Sequence, residues 1–342
     1  MKLNIKKLRA AAFCLSIMML VLAACGNDSL KKSANINDSD VPLASQGTAA
    51  PTSEAMSFTE GEAAGFVNGG AAISGTLMPV ASGKVTKGND KVVIDASNTQ
   101  DGYIMIKYLK QTSKKLKMIV TGPSGVKYTY NINKIGEFET FPLSDGSGKY
   151  SINIYENISG TSYSTVYGTS LSVSLTNEFA PYLLPNQYVN YTANGQVAGL
   201  AKTLTANKSG DLQKINAVYD WVITNISYDK QLAATVKSGY LPNLDTIIVS
   251  KKGICFDYAS LMTAMLRSRG IPCKLVIGYA GSSYHAWINA YTSENGWIDG
   301  VIYFDGSTWK LMDPTFASTG NQSESIMKYI GDGKNYSAKY LY

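Results

Sequence analysis

From Gly253 to Pro272 the chain reads Gly-Ile-Cys-Phe-Asp-Tyr-Ala-Ser-Leu-Met-Thr-Ala-Met-Leu-Arg-Ser-Arg-Gly-Ile-Pro, and no other stretch restricts the fold as much. Cys255, Ala259, Met262 and Leu266 recur at spacings of three and four, which lines up one face of a helix. Gly270 and Pro272 supply a C-terminal stop, since glycine accepts the left-handed backbone that ends a helix and proline cannot continue one. Cys255 therefore opens a buried helix. Cys273 follows Pro272, begins a strand-like run to Tyr279, and reads as a small core residue.

A cysteine at a helix start sits among free N–H groups and partial positive charge, which favour thiolate over thiol. A thiolate nucleophile needs a base, and the chain holds one histidine, His285, ahead of the strand-like Ala286-Trp287-Ile288-Asn289-Ala290-Tyr291. A third group has to orient the ring. Asp313, in Trp309-Lys310-Leu311-Met312-Asp313-Pro314-Thr315, ends another strand-like run and suits that role. Three other readings stand beside this one. A Cys255–Cys273 disulfide would silence the nucleophile, and a zinc site from Cys255, Cys273 and His285 has no paired ligand spacing. Asp257, Asp299 and Asp305 read as solvated loop or helix-start charges.

Gly253-x-Cys255-x-x-Tyr258-Ala259, Gly270-Ile271-Pro272, Tyr284-His285-Ala286-Trp287 and Asp313-Pro314-Thr315 together resemble the transglutaminase-like superfamily, over roughly residues 212–317. The resemblance implies a papain-like α+β core with Cys255 as nucleophile, His285 as general base and acid, and Asp313 as orienting carboxylate. Tyr228-Asp229 resembles the segment lining the cleft before the nucleophile helix, which makes the Tyr228 hydroxyl an oxyanion candidate beside the Cys255 N–H. A buried Tyr capping the core is the other reading of that residue. Residues 300–306 insert an extra hairpin relative to the family's better-known animal cross-linking enzymes, and no acidic loop has the ligand density of a calcium site.

The rest of the 342 residues divides by composition. Met1 to Arg9 carries four cations and no acid, an apolar run follows to Leu22, and Leu22-Ala23-Ala24-Cys25 resembles a bacterial lipobox. Residues 1–24 are thus expected to be a lipoprotein signal peptide, with Cys25 as the lipidated residue. Residues 25–83, rich in Ser, Ala, Gly, Asn and Thr, read as a disordered tether, with Phe66-Val67 and residues 77–80 as candidate edge-strand segments. Residues 84–178 alternate short β-rich runs with turns such as Gly122-Pro123-Ser124-Gly125, the pattern of an all-β sandwich-like domain. Residues 179–342 form the catalytic domain, its first helix running through Leu212, Ile215, Val218, Tyr219, Val222 and Ile226 with Ser209 as N-cap.

Net charge is +6, and removing the four leading cations leaves 6 − 4 = +2, so nucleic-acid binding has no electrostatic support. The 23 tyrosines suit half-buried strands and clefts without choosing between them. The expectation is an exported, membrane-anchored monomer that needs no cofactor or metal and performs acyl transfer on a peptide or protein substrate, in the manner of a peptidase or amidase. Cross-linking by the same chemistry is the alternative. A surface binding or scaffold protein that keeps the fold without turnover is the rival of another class.

Overall fold

The computed structural model describes residues 33–35, 76–293, 295–299, 302–304, 309–311 and 336–342. Nine strands come first: β1 (Ser33–Asn35), β2 (Thr86–Gly88), β3 (Val92–Asp95), β4 (Tyr103–Tyr108), β5 (Leu116–Thr121), β6 (Lys127–Asn131), β7 (Glu139–Pro142), β8 (Gly148–Ser159) and β9 (Ser162–Val173). They pair antiparallel in two sheets, ordered β2-β3-β4-β7 and β1-β9-β8-β5-β6. Alternation explains the layering: in β8, Tyr150, Ile152 and Ile154 are buried while Ser151 and Asn153 are only partly covered. Ile94, Ile104, Ile106, Met118 and Val120 join them in one core.

Residues 76–80 dock as irregular chain, not as the edge strand suggested by their sequence. The Val80 N–H donates to the Tyr103 hydroxyl at 3.1 Å, and the Thr76 hydroxyl donates to the Ser268 carbonyl at 3.2 Å. Proline at position 79 has no N–H to give a ladder, which limits strand pairing there.

The second half contains α1 (Gln196–Thr205), α2 (Asp211–Asn225), β10 (Ser227–Tyr228), α3 (Lys230–Thr235), α4 (Leu244–Ser250), β11 (Lys252–Gly253) and α5 (Cys255–Ser268). Then come β12 (Cys273–Ala280), β13 (Ser283–Thr292), β14 (Gly296–Ile298), the hairpin β15 (Ile302–Phe304) and β16 (Trp309–Leu311), and β17 (Tyr336–Leu341). A sheet ordered β14-β13-β12-β17 packs on α5, whose other sides meet α1, α2 and α4. The architecture is α+β with strands predominating. Among the described residues no helix is long and apolar enough to cross a membrane. Gly210 precedes α2 in place of Ser209, whose N–H instead reaches Gln213 Oε1 at 3.3 Å.

All of α5 is buried, including Asp257 and Arg267. Its end is a Schellman motif: Gly270, at φ 76°, donates to the Arg267 carbonyl at 2.9 Å and Ile271 to the Leu266 carbonyl at 3.1 Å. Arg267 spends its guanidinium on three carbonyls, Cys273 at 2.9 Å, Leu184 at 2.7 Å and Tyr342 at 2.6 Å, fastening the helix end to β12, to the chain entering this half and to the residue after β17. Tyr188, beyond Leu184, stacks on Tyr130 of β6 with centroids 5.8 Å apart and meets Tyr342 at 4.8 Å. The sandwich and the helical half therefore share one continuous core.

Gly278 of β12 lies where the β17 backbone crosses at a register shift, so a Cβ there would run into the Ser337 carbonyl and come 2.8 Å from the Trp287 ring. Gly278→Ala should push β17 off the sheet and cost about 1–3 kcal/mol by overpacking, read as a lower urea midpoint. An unchanged midpoint would mean that β17 does not pack there.

Candidate active site

Cys255 is the first residue of α5, 1% exposed, and follows directly on the β10–β11 pair. That two-residue parallel ladder sets Tyr228 opposite Gly253 and Ser227 opposite Lys252, and the Asp229 N–H closes it on the Gly253 carbonyl at 2.9 Å. Tyr228, 25 residues upstream of Gly253, is thereby fixed beside the chain that leads into Cys255.

Hydrogen bonds at the helix start are apportioned unevenly. The N–H groups of Asp257 and Tyr258 both go to the Ile254 carbonyl, at 2.8 and 3.1 Å. The Ile254 N–H goes to Asp257 Oδ2 at 2.8 Å, one half of a capping box, since the Ile254 side chain has no acceptor for the other half. Among the described hydrogen bonds none uses the N–H of Cys255 or Phe256, and those two remain as the open donors of the first turn.

His285 is buried on β13, opposite Gly278. Ala286, Ile288 and Ala290 belong to the core shared with Leu275 and Ile277 of β12. Tyr336 of β17 packs on His285 and Trp287, with ring centroids 6.4 Å from His285 and 5.1 Å from Trp287. Cys255 and His285 thus come from a helix and a strand packed on each other, and no described hydrogen bond joins Sγ to the ring. Catalytic hydrogen bonds in unliganded sites are often long and shorten only around substrate.

Asp313 and Cys25 lie outside the described residues, as does Asp305. Cys255 and Cys273 are both free thiols, so the disulfide alternative does not hold. Cys273 packs beside Thr263, eight residues along α5 from Cys255, a rise of about 12 Å at about 1.5 Å per residue and beyond bridging distance. Burial pushes the Cys273 thiol up to about 12, and its Sγ lies 3.6 Å from the Thr263 hydroxyl. That thiol is a core group. Asp299 accepts from the Asn289 amide at 2.7 Å, a local surface contact.

Asp257 corrects the sequence reading, which had it as a solvated or helix-start charge. It is a helix-start residue but has no solvent exposure. Oδ1 accepts from the Tyr240 hydroxyl at 2.8 Å, and burial raises its carboxyl to about 6 against the lowering pull of its two hydrogen bonds, with Asp229 pushing further upward. The signal in the sequence was position: an acid three residues after the N-cap is placed to accept the N-cap N–H. Tyr240 gave no such signal, because it reaches Asp257 from a loop 17 residues away.

Comparison with known proteins follows this geometry. Residues 198–299 match the family described as the transglutaminase-like superfamily. Over 119 residues the chain is 28% identical to the kyphoscoliosis peptidase of Mus musculus, covering 35% of this chain and 18% of that protein. Over 68 residues it is 31% identical to a protein-glutamine gamma-glutamyltransferase of Pseudomonas aeruginosa, covering 16% and 10%. The chain thus spans less than a fifth of either relative. The periplasmic domain of TgpA from Pseudomonas aeruginosa overlaps 72% of this chain and 77% of its own, with 13% identity and a TM-score of 0.33, too loose to equate individual elements. The matched segment, 198–299, carries both Cys255 and His285.

Proposed function

We propose that this chain is an exported, lipid-anchored thiol enzyme that cleaves peptide or carboxamide bonds at the cell envelope. The observation that carries the reading is Cys255, set as the first residue of a wholly buried helix with two open N–H donors beside it. In the proposed reaction His285 takes the thiol proton and the Cys255 sulfur adds to the substrate carbonyl, forming the C–S bond. The resulting oxyanion is met by the Cys255 N–H, with the Tyr228 hydroxyl as a second donor. Collapse breaks the C–N bond, and His285 returns its proton to the departing amine. Water then adds to the thioester with His285 as base, releasing the carboxylic acid and restoring the thiol. Asp313 holds the imidazole in the required orientation throughout.

Cross-linking differs only in the last step, where an amine replaces water. The names of the two relatives favour one outcome each, a peptidase and a glutamyltransferase, so both belong to the test. A surface binding protein on the same fold would keep Cys255 without turnover. Export rests on the Leu22-Ala23-Ala24-Cys25 segment, and in this reading residues 84–178 act as the module on which the catalytic part, 179–342, is mounted.

Incubating the protein with peptidoglycan fragments, and separately with casein and a labelled amine, separates hydrolysis from cross-linking by product mass. Cys255→Ala and His285→Ala should each lower turnover by about 10³-fold or more, Asp313→Ala less, and Cys273→Ser little. Undiminished turnover in His285→Ala would remove the proposed base. For the anchor, Cys25→Ala should leave an unprocessed or released protein; a variant of unchanged size that still partitions into detergent would contradict lipidation at that residue.

A further inference from the structure

The two residues that follow Cys255 are held from outside their own helix. Phe256 packs its ring on Tyr188 with centroids 5.7 Å apart and on Tyr240 at 6.5 Å. Asp257 accepts from the Tyr240 hydroxyl and the Ile254 N–H, each at 2.8 Å. Two glycines make room for this arrangement. A Cβ on Gly253 would come 2.7 Å from the Asp257 Cβ, and a Cβ on Gly239, at φ +85°, would come 2.7 Å from the Asn131 amide nitrogen of β6. The loop bearing Tyr240 is thus seated on the sandwich at Asn131, next to Tyr130, which stacks on Tyr188.

Asp257 is costly as a purely structural group. No cation pairs with it among the described residues, its neighbour Asp229 is also an acid, and a buried carboxylate held only by neutral donors is expensive. An asparagine would accept from the Ile254 N–H through its oxygen and donate its amide to the Tyr240 oxygen, without that cost. What the acid does is draw the Ile254 N–H back onto the helix, which fixes the N-terminus and leaves the Cys255 and Phe256 N–H groups free.

We propose that Asp257 and Tyr240 are positioning residues for the nucleophile: together they lock the start of α5 against the sandwich, so that the Cys255 thiol and the two open N–H groups keep one geometry toward a substrate carbonyl. The proposal rests on Cys255 being the nucleophile. The sandwich is then a buttress of the reacting centre through Asn131 and Tyr130.

The test measures iodoacetamide alkylation of Cys255 against pH by peptide mass spectrometry, together with amide hydrogen exchange over residues 254–258, in the purified full chain. Asp257→Ala should slow alkylation about tenfold and speed exchange at Ile254, because both anchoring bonds are lost. Asp257→Asn should stay within about threefold of wild type, since Oδ1 can accept from Ile254 and the amide can donate to Tyr240. Tyr240→Phe should fall between the two, and it decides the matter alone if Asp257→Ala does not fold.

Stability carries a matching sign. Burial raises the Asp257 carboxyl from 3.8 to about 6, so the folded chain keeps this proton longer than the unfolded one. The stabilisation from this group is complete below about pH 4 and is lost as pH rises through 6, and Asp257→Asn should remove that slope from the urea midpoint. If wild-type Cys255 reacts faster than Cys273 while Asp257→Ala and Tyr240→Phe both keep its rate, pH profile and exchange, the positioning role is overturned and the nucleophile stands. If wild-type Cys255 reacts no faster than Cys273, both fail, because there is then no activated thiol to position.

Discussion

The burial of α5 on every side is the constraint on which the rest of the structure depends. A helix with only one apolar face can rest on a sheet and leave its back to water. This one carries Phe256, Tyr258, Leu261, Met262, Met265 and Leu266 around its circumference and must be enclosed. Each such side chain is worth about 1.5–3 kcal/mol when fully buried. The sheet of β12, β13 and β17 closes one side, α1, α2 and α4 close others, and the tyrosine seam at Tyr188 and Tyr342 closes the side facing the sandwich. Polar groups on such a helix have to find partners inside the protein. Arg267 at its end and Asp257 at its start do so in complementary ways, the cation on three carbonyls and the acid on two donors.

That enclosure ties packing to chemistry. Cys255 stands where the helix begins, and its place is set by what holds Ile254, Phe256 and Asp257. Those groups come from β10–β11, from the loop before α4 and from the segment at Tyr188 that enters the helical half. A disturbance at β6 can therefore reach the start of α5 through Tyr130 and Tyr188.

How much of this was legible in the sequence follows from the range of each interaction. The α5 helix and its stop were legible because periodicity, Gly270 and Pro272 are local signals that agree with one another. The long hairpin of β8 and β9 was seen only at its apolar ends, since Asn157, Ser159, Ser162 and Ser164 around its turn give no buried face to detect. Strand β1, a polar Ser-Ala-Asn, pairs on the sheet edge with nothing in its side chains to announce it. Strand β17 went unread because its role is set by Gly278 and Trp287, some 60 residues upstream. At the site, Cys255, His285 and Tyr228 were named from their motifs, whereas the weight of Asp257 emerged only once Tyr240 and the burial of the helix start were visible.

The central claim is that the Cys255 sulfur carries the acyl group. The most direct measurement is to mix the protein with substrate, quench in acid within one turnover, and map the modified peptide by mass spectrometry. The account predicts a thioester adduct on the peptide containing Cys255, absent from Cys255→Ala and sharply reduced in His285→Ala. An adduct on Cys273, or product formed from Cys255→Ala at the wild-type rate, would contradict it.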